Sequence, residues 1–219
     1  MAPPYRDQKE FTGYYNFDRK ELIKYIPEGA KRILDIGCGA GSFGELIKCR
    51  KSVEVWGVEK VAEVAHEARR KLDRVIVGNI ESDDVELPLN YYDCVVFNDV
   101  IEHLVDPWST LKRIKRHLVN KGTVIASIPN VRYWDNVKRL VLSKEWNYTE
   151  AGILDKGHLR FFTIKGIEKL FAQCGLELIS VEGINRREFT WRFKLLNLLL
   201  NHFLDDTHFP QFACVARDI

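Results

Sequence analysis

Short apolar runs alternate with amphipathic stretches along this chain, and the alternation predicts strands and helices in turn. Ile33 to Ile36 is a tight apolar run and predicts a first strand. Ser42 to Arg50 carries apolar positions at helical spacing. Val53 to Val58 predicts a second strand, closed by Glu59, and Val61 to Leu72 an alanine-rich helix. Arg74 to Val77 and Cys94 to Asn98 predict the third and fourth strands. Asp106-Pro107 then opens a helix, with Asp as N-cap and Pro at the first helical position. Trp108, Leu111, Ile114 and Leu118 form its apolar stripe, and Lys112, Arg113, Lys115 and Arg116 its wet face. Thr123 to Ile128 is a fifth strand, stopped by Pro129. Strands alternating with helices at this spacing predict a parallel sheet with helices on both faces.

Two stretches depart from that rhythm. Residues 130–162 are too long for a simple connection and hold Tyr133, Trp134, Trp146, Tyr148, Phe161 and Phe162. Connections of this kind usually carry function or structure of their own, so a lid over the substrate entrance is expected. Thr163 then caps a helix that ends at Gly175, and Leu176 to Val181 is strand six. Phe189 to Leu204 reads as a strongly apolar helix with a thin polar stripe at Lys194, Asn197, Asn201 and Asp205. Its expected place is against the sheet, with a dimer contact or a membrane-surface patch as alternatives. Phe212 to Ala216 is the last strand. At the front, a helix from Arg19 to Ile26 follows a polar start, so residues 1–30 are expected to form a cap segment on a single domain of 219 residues.

Composition narrows the class without changing it. A net charge of +2 makes no case for a general nucleic-acid binder. No apolar run is long enough to span a bilayer, and the first residues lack the apolar core of a signal peptide. Five cysteines without a Cys-x-x-Cys pair suit free thiols in a reducing cytoplasm. No metal-ligand cluster is visible in the spacing.

The chemistry concentrates after the first strand. Asp35 ends an apolar run, and Gly37, Gly39, Gly41 and Gly44 follow within eight residues. Strand, glycine turn and helix start form a seat for a nucleoside-bearing cofactor. The glycines alone also fit a dinucleotide, with Glu59 on the ribose. An acid at the strand end is comfortable beside a cationic ligand and costly beside a pyrophosphate.

Four blocks in order carry a resemblance. Asp35-Ile36-Gly37-Cys38-Gly39-Ala40-Gly41, the acid Glu59, and Asn98-Asp99-Val100-Ile101-Glu102-His103-Leu104-Val105-Asp106-Pro107 resemble the motifs of class I S-adenosylmethionine-dependent methyltransferases. Gly157-His158-Leu159-Arg160-Phe161-Phe162-Thr163 is similar to a block of a small-molecule and cell-surface saccharide subgroup. The resemblance spans about Tyr14 to Arg217. It implies a Rossmann-like α/β fold: a seven-stranded, mostly parallel sheet with an antiparallel last strand. It implies that Gly37, Cys38 and Gly39 offer backbone to the methionine part of the cofactor, with Asp35 toward its ammonium. It places Glu59 on the ribose hydroxyls, Asn79 and Ile80 around adenine, and Asn98 and Val100 at the methionine end. Asn79 stands where the family more often has Asp. Tyr14 and Arg19 are expected at the cofactor carboxylate.

Methyl transfer needs alignment, a dry pocket and, for a hydroxyl acceptor, a base titrating near neutrality. Of six histidines, His158 in the aromatic insertion is the expected base, with Asp155 as its orienter, and His103 beside strand four is second. For both, the plainer role is that of a hydrogen-bonded structural histidine. The expected activity is O-methylation of a small molecule or saccharide. A nicotinamide-dependent reductase and a non-catalytic cofactor-binding subunit remain as alternatives. A homodimer through the 189–204 helix is the expected protein contact.

Overall fold

The computed structural model describes residues 19–218, so the expectation for Tyr14 lies outside the described residues. Seven strands form one sheet: β1 (Arg32–Ile36), β2 (Glu54–Glu59), β3 (Arg74–Val77), β4 (Tyr92–Asn98), β5 (Leu118–Pro129), β6 (Leu176–Ile184) and β7 (Gln211–Asp218). Their spatial order is β3-β2-β1-β4-β5-β7-β6. Neighbouring strands from β3 to β5 pair in parallel, while β7 runs antiparallel to both β5 and β6. The resemblance had implied this arrangement.

The helices are α1 (Ser42–Arg50), α2 (Ala62–Ala68), α3 (Pro107–Lys115), α4 (Trp134–Lys138), α5 (Ile164–Gln173) and α6 (Trp191–Leu199). Side chains alternate across each strand, so β1 feeds two cores at once. Leu34 and Ile36 join Leu111 and Ile114 of α3 and Ile167, Leu170 and Phe171 of α5. Ile33 joins Phe43 and Ile47 of α1 and Ala65 and Ala68 of α2 on the other face. Asp35 shares the Ile33 side by the same alternation. The order in which strands are added reverses between β1 and β4, which lie side by side and parallel with Ile36 opposite Phe97. The crevice beyond the strand ends at such a switch point is where ligands of open α/β sheets bind.

Caps behave as expected. The Asp106 side chain accepts from the Ser109 N–H, and Thr163 accepts from the Gly166 N–H. Arg19 to Ile26, expected as a helix, is a tighter 3-10 turn over Lys20–Tyr25 that buries Leu22 and Ile23. Leu118 does not extend the α3 stripe. It starts β5, opposite Tyr92, although it is buried all the same.

The last predicted helix needs the largest correction. It covers only Trp191–Leu199 and does not lay its apolar face on the sheet. Leu198, Leu199 and Phe203 are 60%, 76% and 66% exposed. Phe193 is the buried anchor, packed on Trp134 at 4.7 Å and on Phe189 at 4.2 Å between ring centroids. Asn197, expected on the wet stripe, is buried. Its amide donates to Asp205 at 2.5 Å, and its carbonyl oxygen accepts from the Leu204 N–H at 2.9 Å. A polar residue is therefore spent folding the chain back after the helix, and leucines are left outside. No helix among the described residues is long and apolar enough to cross a membrane.

The two environments predict different costs. Leu111→Ala, in the buried core, is expected to lower stability by about 2–5 kcal/mol in urea unfolding. Leu199→Ala, on the exposed side of α6, should stay within about 0.5 kcal/mol. An equal loss at both positions would show that α6 is covered in solution.

Candidate active site

Asp35 ends buried at 1% exposure, and neither carboxylate oxygen has a hydrogen-bond partner. Burial, and then the charge of nearby Glu59, push its pKa up to about 8. Directly after it, the Gly37 and Cys38 N–H groups donate to the Val58 carbonyl at 2.8 and 3.2 Å, which locks the turn to the end of β2. Gly37 sits at φ +68, and a Cβ there would lie 2.5 Å from Cγ2 of Val100. Only glycine fits that position, for both reasons.

Glu59, 4% exposed, fastens the other side of the turn. One oxygen accepts from the Gly39 N–H at 3.1 Å and the other from the Val61 N–H at 2.9 Å. A carboxylate has about four acceptor sites, so each oxygen keeps capacity for a ligand hydroxyl. Cys38 is buried in the turn, and its thiol is pushed far up by burial and by Asp35, so it is no nucleophile here. Asn79 spends its side-chain oxygen on the Glu81 N–H at 3.0 Å, and Ile80 is buried beside it. The Asn98 side-chain oxygen is buried without a partner, and Val100 backs Gly37.

A second group forms just past β4. A 3-10 turn, Ile101–His103, holds Glu102 fully buried, and both its carboxylate oxygens lack a partner. Burial pushes its pKa up to about 8. Its backbone carbonyl accepts from the Leu159 and Arg160 N–H groups at 2.8 and 3.0 Å. That double bond docks the 130–162 insertion onto the turn and brings His158 against His103. Their rings meet edge-on, 4.7 Å apart and 77° inclined.

In each ring Nδ1 lies 2.9 Å from a backbone carbonyl, Gly157 for His103 and Ile153 for His158. A carbonyl only accepts, so Nδ1 carries a proton, and the atom able to offer a lone pair is Nε2. Nε2 of His158 lies 4.0 Å from Glu102. Burial, followed by the charge of His158, lowers the His103 pKa. Glu102, His103 and His158 each bring one ligand-type atom within 4.8 Å of the others, a grouping invisible in the sequence spacing.

Asp155 is not placed as the orienter of the His158 ring. Its Oδ1 accepts from the Gly157 N–H at 2.6 Å and shapes the loop instead, while Glu102 is the acid facing Nε2. Arg160 donates to the Val105 carbonyl. Arg19, expected at a cofactor carboxylate, pairs with Asp99 and donates to Gln211 at 3.0 Å. Asp99 also accepts from Ser127 at 2.7 Å and from the Gln211 amide at 2.8 Å, tying β4, β5 and β7 to the N-terminal turn.

Sequence reasoning passed over Asp99 and Glu102. A charged residue between Ile101 and Leu104 in a buried run was the available signal. Beside His158 an open cleft of about 470 Å³ is lined by Tyr148, Lys156, Leu159 and Phe161, and Trp146 stacks edge-on against Phe161 at 5.4 Å.

Comparison with known proteins agrees with this geometry. Residues 9–181 match the model of a family described as a methyltransferase domain. A ubiquinone biosynthesis O-methyltransferase of Cereibacter sphaeroides is 25% identical over 185 residues, covering 82% of this chain and 73% of the relative. A SAM-dependent methyltransferase of Archaeoglobus fulgidus shares the fold at TM-score 0.67 and 19% identity, covering 97% of this chain and 100% of the other. A Thermotoga maritima structure described as a possible histamine N-methyltransferase overlays at TM-score 0.66 and 15% identity, over 97% and 96% of the two chains.

Asp35 generates a prediction about pH. Its folded pKa of about 8 lies above the ordinary 3.8. Between these values the folded chain holds a proton that the unfolded chain has released. Stability due to this group therefore falls as pH rises from about 4 to 8. Asp35→Asn cannot ionise, so the melting temperature of the variant minus that of the wild type should grow over that interval. A constant difference would mean that Asp35 titrates normally.

Proposed function

This chain belongs to the class I S-adenosylmethionine-dependent methyltransferases, and from that premise we propose that it methylates a hydroxyl oxygen of a small molecule or saccharide. The residues present fit the cofactor. Two unpartnered, buried oxygens on Asp35 suit an ammonium group, and an anion there would meet two carboxylates. Glu59 keeps acceptor capacity for ribose hydroxyls, and Gly37, Cys38 and Gly39, whose N–H groups are spent on Val58 and Glu59, would border the methionine part without donating to it. Ile80 and Asn79 flank the adenine end, with the Asn79 amide nitrogen free to turn toward it, and Asn98 and Val100 border the methionine end. Arg19 acts from its Asp99 pair at the cofactor edge, and Tyr14 is proposed beside it. When bound, the cofactor supplies an electrophilic methyl group on a sulfonium.

The acceptor end rests on His158 and His103. Their Nδ1 atoms are tied to backbone carbonyls, and this is the observation that carries the reading. Tethered in this way, each ring is held in orientation, and Nε2 of His158 faces Glu102 at 4.0 Å. Through these atoms the site lowers the cost of removing a hydroxyl proton. Residues 130–162 act as the lid, and the aromatic side chains at the cleft suit the C–H face of a sugar or a flat ring. The O-methyltransferase name of the Cereibacter sphaeroides relative supports oxygen as the acceptor. The exposed leucines of α6 are the surface offered for a second copy.

Calorimetry tests the cofactor half. S-adenosylhomocysteine should bind and NADH should give no heat, and Glu59→Gln should weaken the binding by about 10–100-fold. For the acceptor half, His158→Ala should slow methylation of hydroxyl acceptors by about 10²–10⁴-fold with S-adenosylhomocysteine binding unchanged. An unaltered rate across pH would remove His158 from the reaction.

A further inference from the structure

The geometry points to a divalent cation site at Glu102, His103 and His158, which takes the acceptor's oxygen as a further ligand. This inference rests on the reading of that cluster as the acceptor end and deepens it. Three observations meet there. Glu102 is fully buried with both oxygens unpartnered. An acid in that state needs a proton or a cation; among the described residues no Lys or Arg is ion-paired with it, and Arg19 acts on it only from farther away. Second, both histidines donate Nδ1–H to a backbone carbonyl, at 2.9 Å each. Metal-ligating histidines are held in this way, with the second nitrogen bonded outward and the first one aimed at the ion. Third, one donor atom from each residue falls within 4.8 Å of the others.

Ligand bonds of about 2.0–2.2 Å require donor atoms nearer to one another than this. Binding therefore draws the rings and the carboxylate inward. Two imidazoles and one carboxylate favour a first-row ion such as Mn²⁺ or Zn²⁺ over Mg²⁺, which prefers oxygen throughout. Three protein ligands leave coordination positions open, as catalytic rather than structural sites do.

A hydroxyl bound at the open position loses its proton more readily, because the ion stabilises the alkoxide. The proton passes to water. The oxygen forms the new O–C bond as the S–C bond of the methyl donor breaks, the electron pair stays on sulfur, and the ion keeps its oxidation state. The histidines then act on the acceptor only through the ion they hold.

The test is Mn²⁺ binding to the full, chelator-treated chain, followed by electron paramagnetic resonance, with Zn²⁺ competition. One Mn²⁺ per chain is expected, displaced by Zn²⁺. Glu102→Gln and His103→Ala should each weaken binding at least ~10-fold, while His66→Ala, an exposed histidine on α2, should not. His103 is only half-buried, so its variant carries the test if Glu102→Gln fails to fold. Absence of stoichiometric binding of either ion, or equal binding by the wild type and His103→Ala, would overturn the site. Calorimetry with S-adenosylhomocysteine on the same samples separates the two readings. Cofactor binding with hydroxyl methylation undiminished by chelator removes the ion and leaves the O-methyltransferase reading standing. Ion binding without methylation of any hydroxyl acceptor removes that reading instead.

Discussion

Burying an ionisable carboxylate with no partner costs several kcal/mol, or forces it to hold a proton. Asp35 is in that position at the end of the most central part of the sheet, and the structure around it is built to keep it there. β1 is flanked by β2 and β4 and covered on both faces. The glycine turn above is bonded to β2 through the Val58 carbonyl and the Glu59 carboxylate. Neither of these contacts reaches the Asp35 oxygens. A site with two carboxylates, and no cation paired with Asp35 among the described residues, favours a ligand by charge before it does so by shape. An ammonium relieves the cost, while a pyrophosphate multiplies it. The same glycine spacing could seat a dinucleotide, and the acids are what exclude it.

The two ends of the site are held by different kinds of contact. The cofactor end is made locally, by strand ends and the turns that follow them. The acceptor end depends on a long-range closure, in which the Glu102 carbonyl accepts two N–H groups from the far end of the insertion. Losing that closure would separate His103 from His158, while the glycine turn keeps its own bonds to β2. The histidine pairing is thus separable from the cofactor turn, a common arrangement where function sits on long connections.

This division also explains what could be read in advance. α1, β3 and the Asp106 and Thr163 caps were legible because their signals are local: a glycine turn, an apolar run, a side chain three residues from the N–H it caps. The place of Asp35 beside the glycine turn was legible because strand and turn are consecutive in the sequence. The pairing of His103 with His158 and Glu102 was hidden, since it exists only once the insertion has folded back. α6 misled for another reason. Its leucines satisfy a buried pattern on paper, but Asn197 is consumed in the turn that follows, and Phe193 is the buried apolar anchor among the described side chains of the helix. Periodicity reports which residues share a face, and it does not report whether anything covers that face.

The proposed role of Asp35, held without a partner to receive a cationic ligand group, is tested most directly by following its carboxyl carbon by ¹³C NMR through a pH titration, with and without S-adenosylhomocysteine. A midpoint near 8 is expected in the free protein, moving down to roughly 5 or below once the ligand's ammonium is in place. A midpoint near the ordinary 3.8 in the free protein, or one that the ligand does not move, would contradict it.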